Sequence, residues 1–163
     1  LHEHKSAILK MSHKGRFELI SKNPHILLDG AHNQHALEEL IRSIKKDECL
    51  SNKKMIVLFG ATKGHNLAKM LQTLCIENEN FDSIIFTKSK SPRSLCAQEI
   101  YDEAKKQSLI NTDCIESPKC ALEKAISQLG NGKFILVTGS LYLVGQIRAM
   151  LKNMPSDDDF PMF

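Results

Sequence analysis

No stretch of this chain approaches the roughly 20 consecutive apolar residues that a membrane-spanning helix needs. The polar start Leu1-His2-Glu3-His4-Lys5 also lacks the form of a secretory signal. Together these absences predict a soluble, cytoplasmic protein without a membrane partner. The five cysteines, Cys49, Cys75, Cys96, Cys114 and Cys120, are odd in number, widely spaced and free of any Cys-x-x-Cys pair. That argues against both a disulfide framework and a zinc site, and reduced thiols are expected. Charge of one sign is scarce as well: 22 basic against 19 acidic residues leave a net +3, and the basic residues are scattered rather than striped. No nucleic-acid partner is implied, while an anionic small molecule remains compatible. Gly-x-x-x-x-Gly-Lys-Ser/Thr and Gly-x-Gly-x-x-Gly are both missing, so the chain carries neither a triphosphate cradle nor a dinucleotide fingerprint of its own. It has no internal repeat and no low-complexity block. The first residue is Leu rather than Met, as expected of a fragment or a processed product.

What is present is enough for one domain. At 163 residues and 42% hydrophobic content, the chain can bury well over half of the surface that its unfolded form exposes. Short β-rich runs alternate with amphipathic helical patterns, the signature of an α/β domain with a largely parallel sheet. Strands are predicted near Arg16–Ile20, Ile26–Asp29, Met55–Gly60, Ile84–Lys88, Thr112–Ile115 and Phe134–Thr138, with helices in the gaps. A helix over Gln34–Lys46 places Leu37, Leu40, Ile41 and Ile44 on one face. Another over Asn66–Ile76 does the same with Leu67, Met70, Leu71 and Leu74. Ser117-Pro118 reads as an N-cap followed by proline in the first turn, and Gly130 stops that helix. A last helix runs from about Leu141 to Asn153. Only Ser21 to His25 separate the first two strands, too few for a parallel crossover, so one antiparallel edge strand is expected. Residues 1–13 and the tail from Pro155 to Phe163, with its three consecutive aspartates, are expected to be mobile.

Chemistry concentrates where strands end. His25-Ile26-Leu27-Leu28-Asp29-Gly30-Ala31-His32-Asn33 is an apolar strand that stops at Asp-Gly and leads into a helix. In an open α/β sheet, ligands bind in the crevice beyond the strand carboxyl ends. A carboxylate at the end of a buried strand needs solvent or a partner, and Asp29 either caps its own turn or receives a ligand. Asn33 is a sufficient N-cap for the helix that follows. His32 and His35 are three apart, but no third ligand falls at a recognised zinc spacing. Phe134 to Val137 form a second apolar strand, followed by Thr138-Gly139-Ser140-Leu141-Tyr142. There Gly139 and Ser140 are expected to leave backbone amides exposed at a helix N-terminus, where they attract an anion, with an ordinary Ser140-capped turn as the alternative.

Asp29-Gly30-Ala31-His32-Asn33, Thr138-Gly139-Ser140-Leu141-Tyr142-Leu143-Val144 and, before them, Gly15-Arg16-Phe17-Glu18 fall in one order. In these motifs the chain resembles the C-terminal domain of folylpolyglutamate synthases and dihydrofolate synthases, members of the Mur ligase superfamily. The resemblance extends from Gly15 to about Arg148. It implies a three-layer Rossmann-like domain, 1–163 with a core of about 14–153, whose sheet has six mostly parallel strands and one antiparallel edge strand. Two departures stand out: Gln34 replaces the usual proline after Asn33, and Gly64-His65-Asn66 stands where most members carry Asp-Lys-Asp. Ser91-Pro92-Arg93 matches a Pro-Arg of the family.

The resemblance implies an ATP-dependent amide ligase of folate biosynthesis and one-carbon metabolism. In this chemistry a folate or dihydropteroate carboxylate becomes an acyl phosphate, which the amino group of L-glutamate attacks. Arg16 would reach the terminal phosphate of ATP, as a planar, permanently charged guanidinium suits. Asp29, with Asn33 beside it, would bind the nucleotide, Gly30 allowing close backbone approach. His32, with Ser140, would present glutamate. The P-loop and the Mg2+ ligands belong, by the same resemblance, to an N-terminal ATPase domain that this chain does not contain, so the fragment alone would be inactive. The alternatives are a Mur-type ligase acting on a cell-wall precursor and a non-catalytic module that binds a nucleotide or an amino acid.

Overall fold

The protein is described by a computed structural model covering residues 15–22 and 24–152. The ends expected to be mobile lie outside the described residues, as do the outer limits of the expected core, positions 14 and 153. Among the described residues six strands and five α-helices follow one another as β1 (Glu18–Lys22), β2 (His25–Leu28), α1 (Gln34–Lys46), β3 (Lys54–Phe59), α2 (Leu67–Ile76), β4 (Phe81–Phe86), α3 (Ala97–Lys106), β5 (Thr112–Cys114), α4 (Pro118–Ser127), β6 (Lys133–Thr138) and α5 (Leu141–Lys152). The sheet runs β1-β2-β6-β3-β4-β5. β1 pairs antiparallel with β2, and every other pairing is parallel. The antiparallel edge strand required by the short β1–β2 connection is therefore present.

Each helix forms for a local reason. In α1 the Asn33 side chain accepts from the Ala36 amide at 2.9 Å, Leu37, Leu40, Ile41 and Ile44 are buried, and Lys45 and Lys46 sit in the last turn, where the helix dipole favours cations. Gln34 in place of proline does not disturb this start, because Asn33 supplies the cap and Gln34 hydrogen-bonds Glu38 one turn on, at 2.8 Å. Asn66 caps α2 by accepting from the Lys69 amide, so that helix begins at Leu67 rather than Asn66. Ser117 and Pro118 start α4 as expected. Helix α3 opens with a capping box in which Glu99 accepts from the Cys96 amide.

The layers follow from strand alternation. Side chains of Leu27, Val57, Phe59, Ile84, Phe86 and Leu136 form one core with α1, α2 and α3. Their neighbours in sequence, Ile26, Leu28, Ile56, Leu58, Ile85 and Val137, face the other way and pack on α4 and α5. A central strand buried on both faces reads as an uninterrupted apolar run, which is how Met55–Phe59 and Phe134–Val137 appear in the sequence.

Each strand differs from expectation by one to three residues at one or both ends, and three of these differences have a clear physical cause. β1 starts at Glu18, not Arg16, because Phe17 adopts a left-handed backbone (φ 42°) that cannot continue a strand. β4 starts three residues early, at Phe81, because Phe81 pairs beside Met55 at a register shift in the sheet. β5 stops at Cys114, and Ile115 instead donates its amide to the Phe86 carbonyl at 3.0 Å, just beyond the strand.

Candidate functional site

Strand β6 lies between β2 and β3, and it divides the connections of the sheet. The helices after β2 and β3 cover one face, whereas the helix after β6 covers the other. At such a switch point neighbouring loops diverge and leave a crevice above the strand ends. The loops concerned are 29–33, 60–66 and 139–140, which hold both motif clusters and the Gly64-His65-Asn66 departure.

Asp29 is the knot of this region. Its amide donates to the Val137 carbonyl at 3.0 Å, which ties the end of β2 to β6. One carboxylate oxygen accepts from the Ala31 amide and the other from the Phe17 amide, each at 2.8 Å. Asp29 therefore caps its own turn, the first of the two roles that its position allowed, and it also clamps the residue after Arg16. Burial raises its carboxyl above the ordinary 3.8, and this outweighs the opposing pull of the Phe17 and Ala31 amides, Arg16 and His32. The turn Gly15-Arg16-Phe17 needs that clamp, since a phenylalanine at positive φ is strained by about 1–3 kcal/mol. Gly15 closes the turn by accepting from the Gly30 amide at 2.8 Å. Arg16 is left exposed at the tip, with no acidic partner in an ion pair among the described residues.

The clearance at Gly30 is used by the protein itself. A Cβ there would lie 2.1 Å from the Leu141 side chain and 3.3 Å from the Gly15 carbonyl. The expectation of exposed amides at Gly139 and Ser140 needs a similar correction. The Gly139 amide donates to the Ala31 carbonyl at 2.9 Å, and Ser140 is 2% exposed. The Ser140 hydroxyl and carbonyl face the first turn of α5, accepting from the Leu143 amide at 3.5 Å and the Val144 amide at 3.0 Å respectively. The junction is thus filled by its own capping, and an anion does not meet a free Gly139 amide.

His32 is half-buried, with Nδ1 2.8 Å from the Gly30 carbonyl. A carbonyl only accepts, so Nδ1 carries the hydrogen and Nε2 is the ring nitrogen left for another partner. Its imidazole meets that of His65 edge to face, with ring centroids 5.0 Å apart at 64°. Sequence reading did not pair these histidines, which are distant in the chain; the lone signal was that His65 belongs to a departure from the family pattern. Arg16, Asp29, His32 and Asn33 all line one cleft of about 910 Å³, which continues along α1 past Glu39 to Lys46. Ser140 does not line it, although its neighbour Leu141 does. The site residues read from the sequence are therefore brought together, with Ser140 behind the wall rather than in it.

The model of the Mur ligase glutamate ligase domain matches residues 15–141, most of the chain, from the Arg16 turn to the start of α5. The chain belongs to this Mur ligase family. Among relatives of this ligase domain, the dihydrofolate synthase/folylpolyglutamate synthase of Bacillus subtilis is 31% identical over 151 residues, which cover 91% of this chain and 33% of the relative. A solved folylpolyglutamate synthase from Thermotoga maritima is 32% identical, with a TM-score of 0.71 over 87% of this chain and 31% of that one. The bifunctional Yersinia pestis enzyme, solved with AMPPNP and a manganese ion, shares the fold at 23% identity and a TM-score of 0.73, over 86% of this chain and 32% of that one. The chain spans about a third of the length of the curated relatives that it matches. Among the described residues no helix is long and apolar enough to cross a membrane.

Proposed function

We propose that this chain is the C-terminal domain of an ATP-dependent folylpolyglutamate synthase that also acts as a dihydrofolate synthase. The observation that carries the reading is the gathering of Arg16, Asp29, His32 and Asn33 on one cleft at the sheet's switch point, in a domain whose relatives bear those two names. In our reading the ligase domain occupies 1–163, with its core at about 14–153. An N-terminal ATPase domain supplies the P-loop, the magnesium ligands and most of the folate site. Among the described residues no group of three or more His, Cys, Asp or Glu is arranged for a metal, and we assign no magnesium ligand to this chain. The enzyme works in the cytoplasm, within folate biosynthesis.

The residues fit a nucleotide. Asp29 spends one acceptor site of each oxygen on a backbone amide, and a carboxylate offers about four such sites. Two remain for ribose hydroxyls on the cleft side, with Asn33 adjoining. Arg16 projects from a turn held on both sides and offers a guanidinium to a terminal phosphate that gains charge during transfer. Activation is needed because a free carboxylate is a poor electrophile; once it is an acyl phosphate, the glutamate amine displaces phosphate and an amide forms. His32 presents glutamate through Nε2, which makes the attack effectively intramolecular. Ser140 contributes indirectly, by shaping the α5 start beside Leu141.

The test is ATP-dependent glutamate addition by the full-length protein, with dihydropteroate and tetrahydrofolate offered separately and products detected by mass. Addition to both is expected, and addition to tetrahydrofolate alone would reduce the reading to a polyglutamate synthase. Failure with both overturns it. Arg16→Ala is expected to slow the reaction by tenfold or more, on the order of the loss of one transition-state contact to a developing charge. A rate within twofold removes Arg16 from the mechanism.

A further inference from the structure

His65 is not among the residues lining the cleft, whereas His32 is. Its ring meets that of His32 with centroids 5.0 Å apart, and among the described residues no protein group hydrogen-bonds His32 Nε2 or either His65 nitrogen. The loop that carries it is held tightly. Its Lys63 amide donates to the Arg93 carbonyl at 2.8 Å, the Arg93 guanidinium returns a bond to the Lys63 carbonyl at 3.4 Å, and the Leu95 amide donates to the Ala61 carbonyl at 3.0 Å. An isolated antiparallel bridge joins Thr62 to Ser94, and Asn66 is fixed as the cap of α2. A ring on such a loop is a rigid backstop. His32 is thus held from two sides, by the Gly30 carbonyl at Nδ1 and by the His65 ring.

We propose that His65 is a positioning residue of the amino-acid subsite, its ring packing on His32 so that Nε2 faces the cleft and accepts from the amino group of the incoming amino acid. The inference rests on the reading of His32 as a glutamate-presenting residue. Without the backstop the Nδ1 bond to the Gly30 carbonyl no longer holds the ring by itself, and the imidazole breaks it and rotates away from the productive orientation. Aromatic packing rather than a His65 nitrogen supplies the restraint, since among the described residues no hydrogen bond joins the two rings. The departure Gly64-His65-Asn66 thereby acquires a division of labour, with Asn66 starting α2 and His65 steadying the site.

The experiment uses the complete protein with His65→Ala and His65→Phe. His65→Ala is expected to raise KM for glutamate about tenfold while KM for ATP stays unchanged, short of the hundredfold that a full 1 Å misplacement can cost. His65→Phe keeps the ring and is expected to restore KM to within about twofold of wild type. A loss of folded protein would lower kcat without moving one KM alone, so the split separates positioning from stability. The nitrogen-15 signals of His32 supply a readout independent of turnover, with Nδ1 protonated in wild type and a mixture of tautomers in His65→Ala. An unchanged KM in His65→Ala overturns the proposal, as do equal damage in both variants and an unaltered His32 tautomer. If the tautomer responds as expected but the wild-type protein adds no glutamate, the positioning of His32 stands and the functional reading fails.

Discussion

At the residue scale, Asp29 shows structure and function competing for one side chain. It gives both oxygens to backbone amides, yet burial still raises its carboxyl above the ordinary 3.8. A group whose folded value is raised favours the folded state most when protonated. Its contribution is complete below 3.8 and is lost as pH rises through the raised value. Aspartate at this position is thus retained at some cost to stability, as is common at binding sites. The unfolding free energy of wild type minus that of Asp29→Asn is expected to fall as pH climbs through this window, measured by urea denaturation at a series of pH values. A difference that grows with pH would contradict the account. Part of this was legible beforehand, because a strand-ending Asp followed by Gly admits a capping role. The second bond, to Phe17, was not, because it depends on a turn twelve residues away whose positive φ no local pattern announces.

At the element scale, the β6–α5 junction is decided by close packing. Gly139 has φ 91°, and a Cβ there would sit 2.2 Å from the Gly60 carbonyl and 2.7 Å from the Phe59 ring, both buried. Neither neighbour is the loose end of a flexible chain, so Gly139→Ala is expected to cost about 3 kcal/mol, combining backbone strain with overpacking. Gly130→Ala meets nothing within 4 Å and is expected to stay within about 0.5 kcal/mol of wild type. Equal stabilities of the two variants in chemical denaturation would sink the argument. The helices themselves were readable, since caps and apolar spacing act within a few residues: Asn33 and Ser117 cap as the sequence suggests, while Asn66, read as the first residue of its helix, is instead its cap. Strand ends were less so, because Phe81 and Ile115 are placed by their partners across the sheet.

At the scale of the whole molecule, Glu18 and Arg148 join the first strand to the last helix. Arg148 Nε lies 3.0 and 3.1 Å from the two carboxylate oxygens, and Glu18 also accepts from the Gly15 amide at 2.8 Å. The side chains are 13% and 20% exposed respectively, so removing the cation strands a largely buried charge. Arg148→Ala is expected to destabilise the fold by about 2 kcal/mol, below the 3–5 of a fully buried pair because some solvent remains. It should also speed hydrogen exchange at the Gly30 amide, which bonds Gly15. Unchanged exchange at Gly30 would show that the pair does not brace the Arg16 turn. By itself the sequence determined the α/β class, the alternation of strands and helices, the antiparallel edge and the two strand-end clusters. Each of these follows from periodicity, caps and loop length, which are short-range quantities. Only the tertiary structure decided the order β1-β2-β6-β3-β4-β5, the burial of Ser140, the meeting of His32 with His65 and the brace between Glu18 and Arg148. Those depend on which distant segments the sheet makes neighbours, and that is fixed by burying both faces at once rather than by any stretch of chain alone.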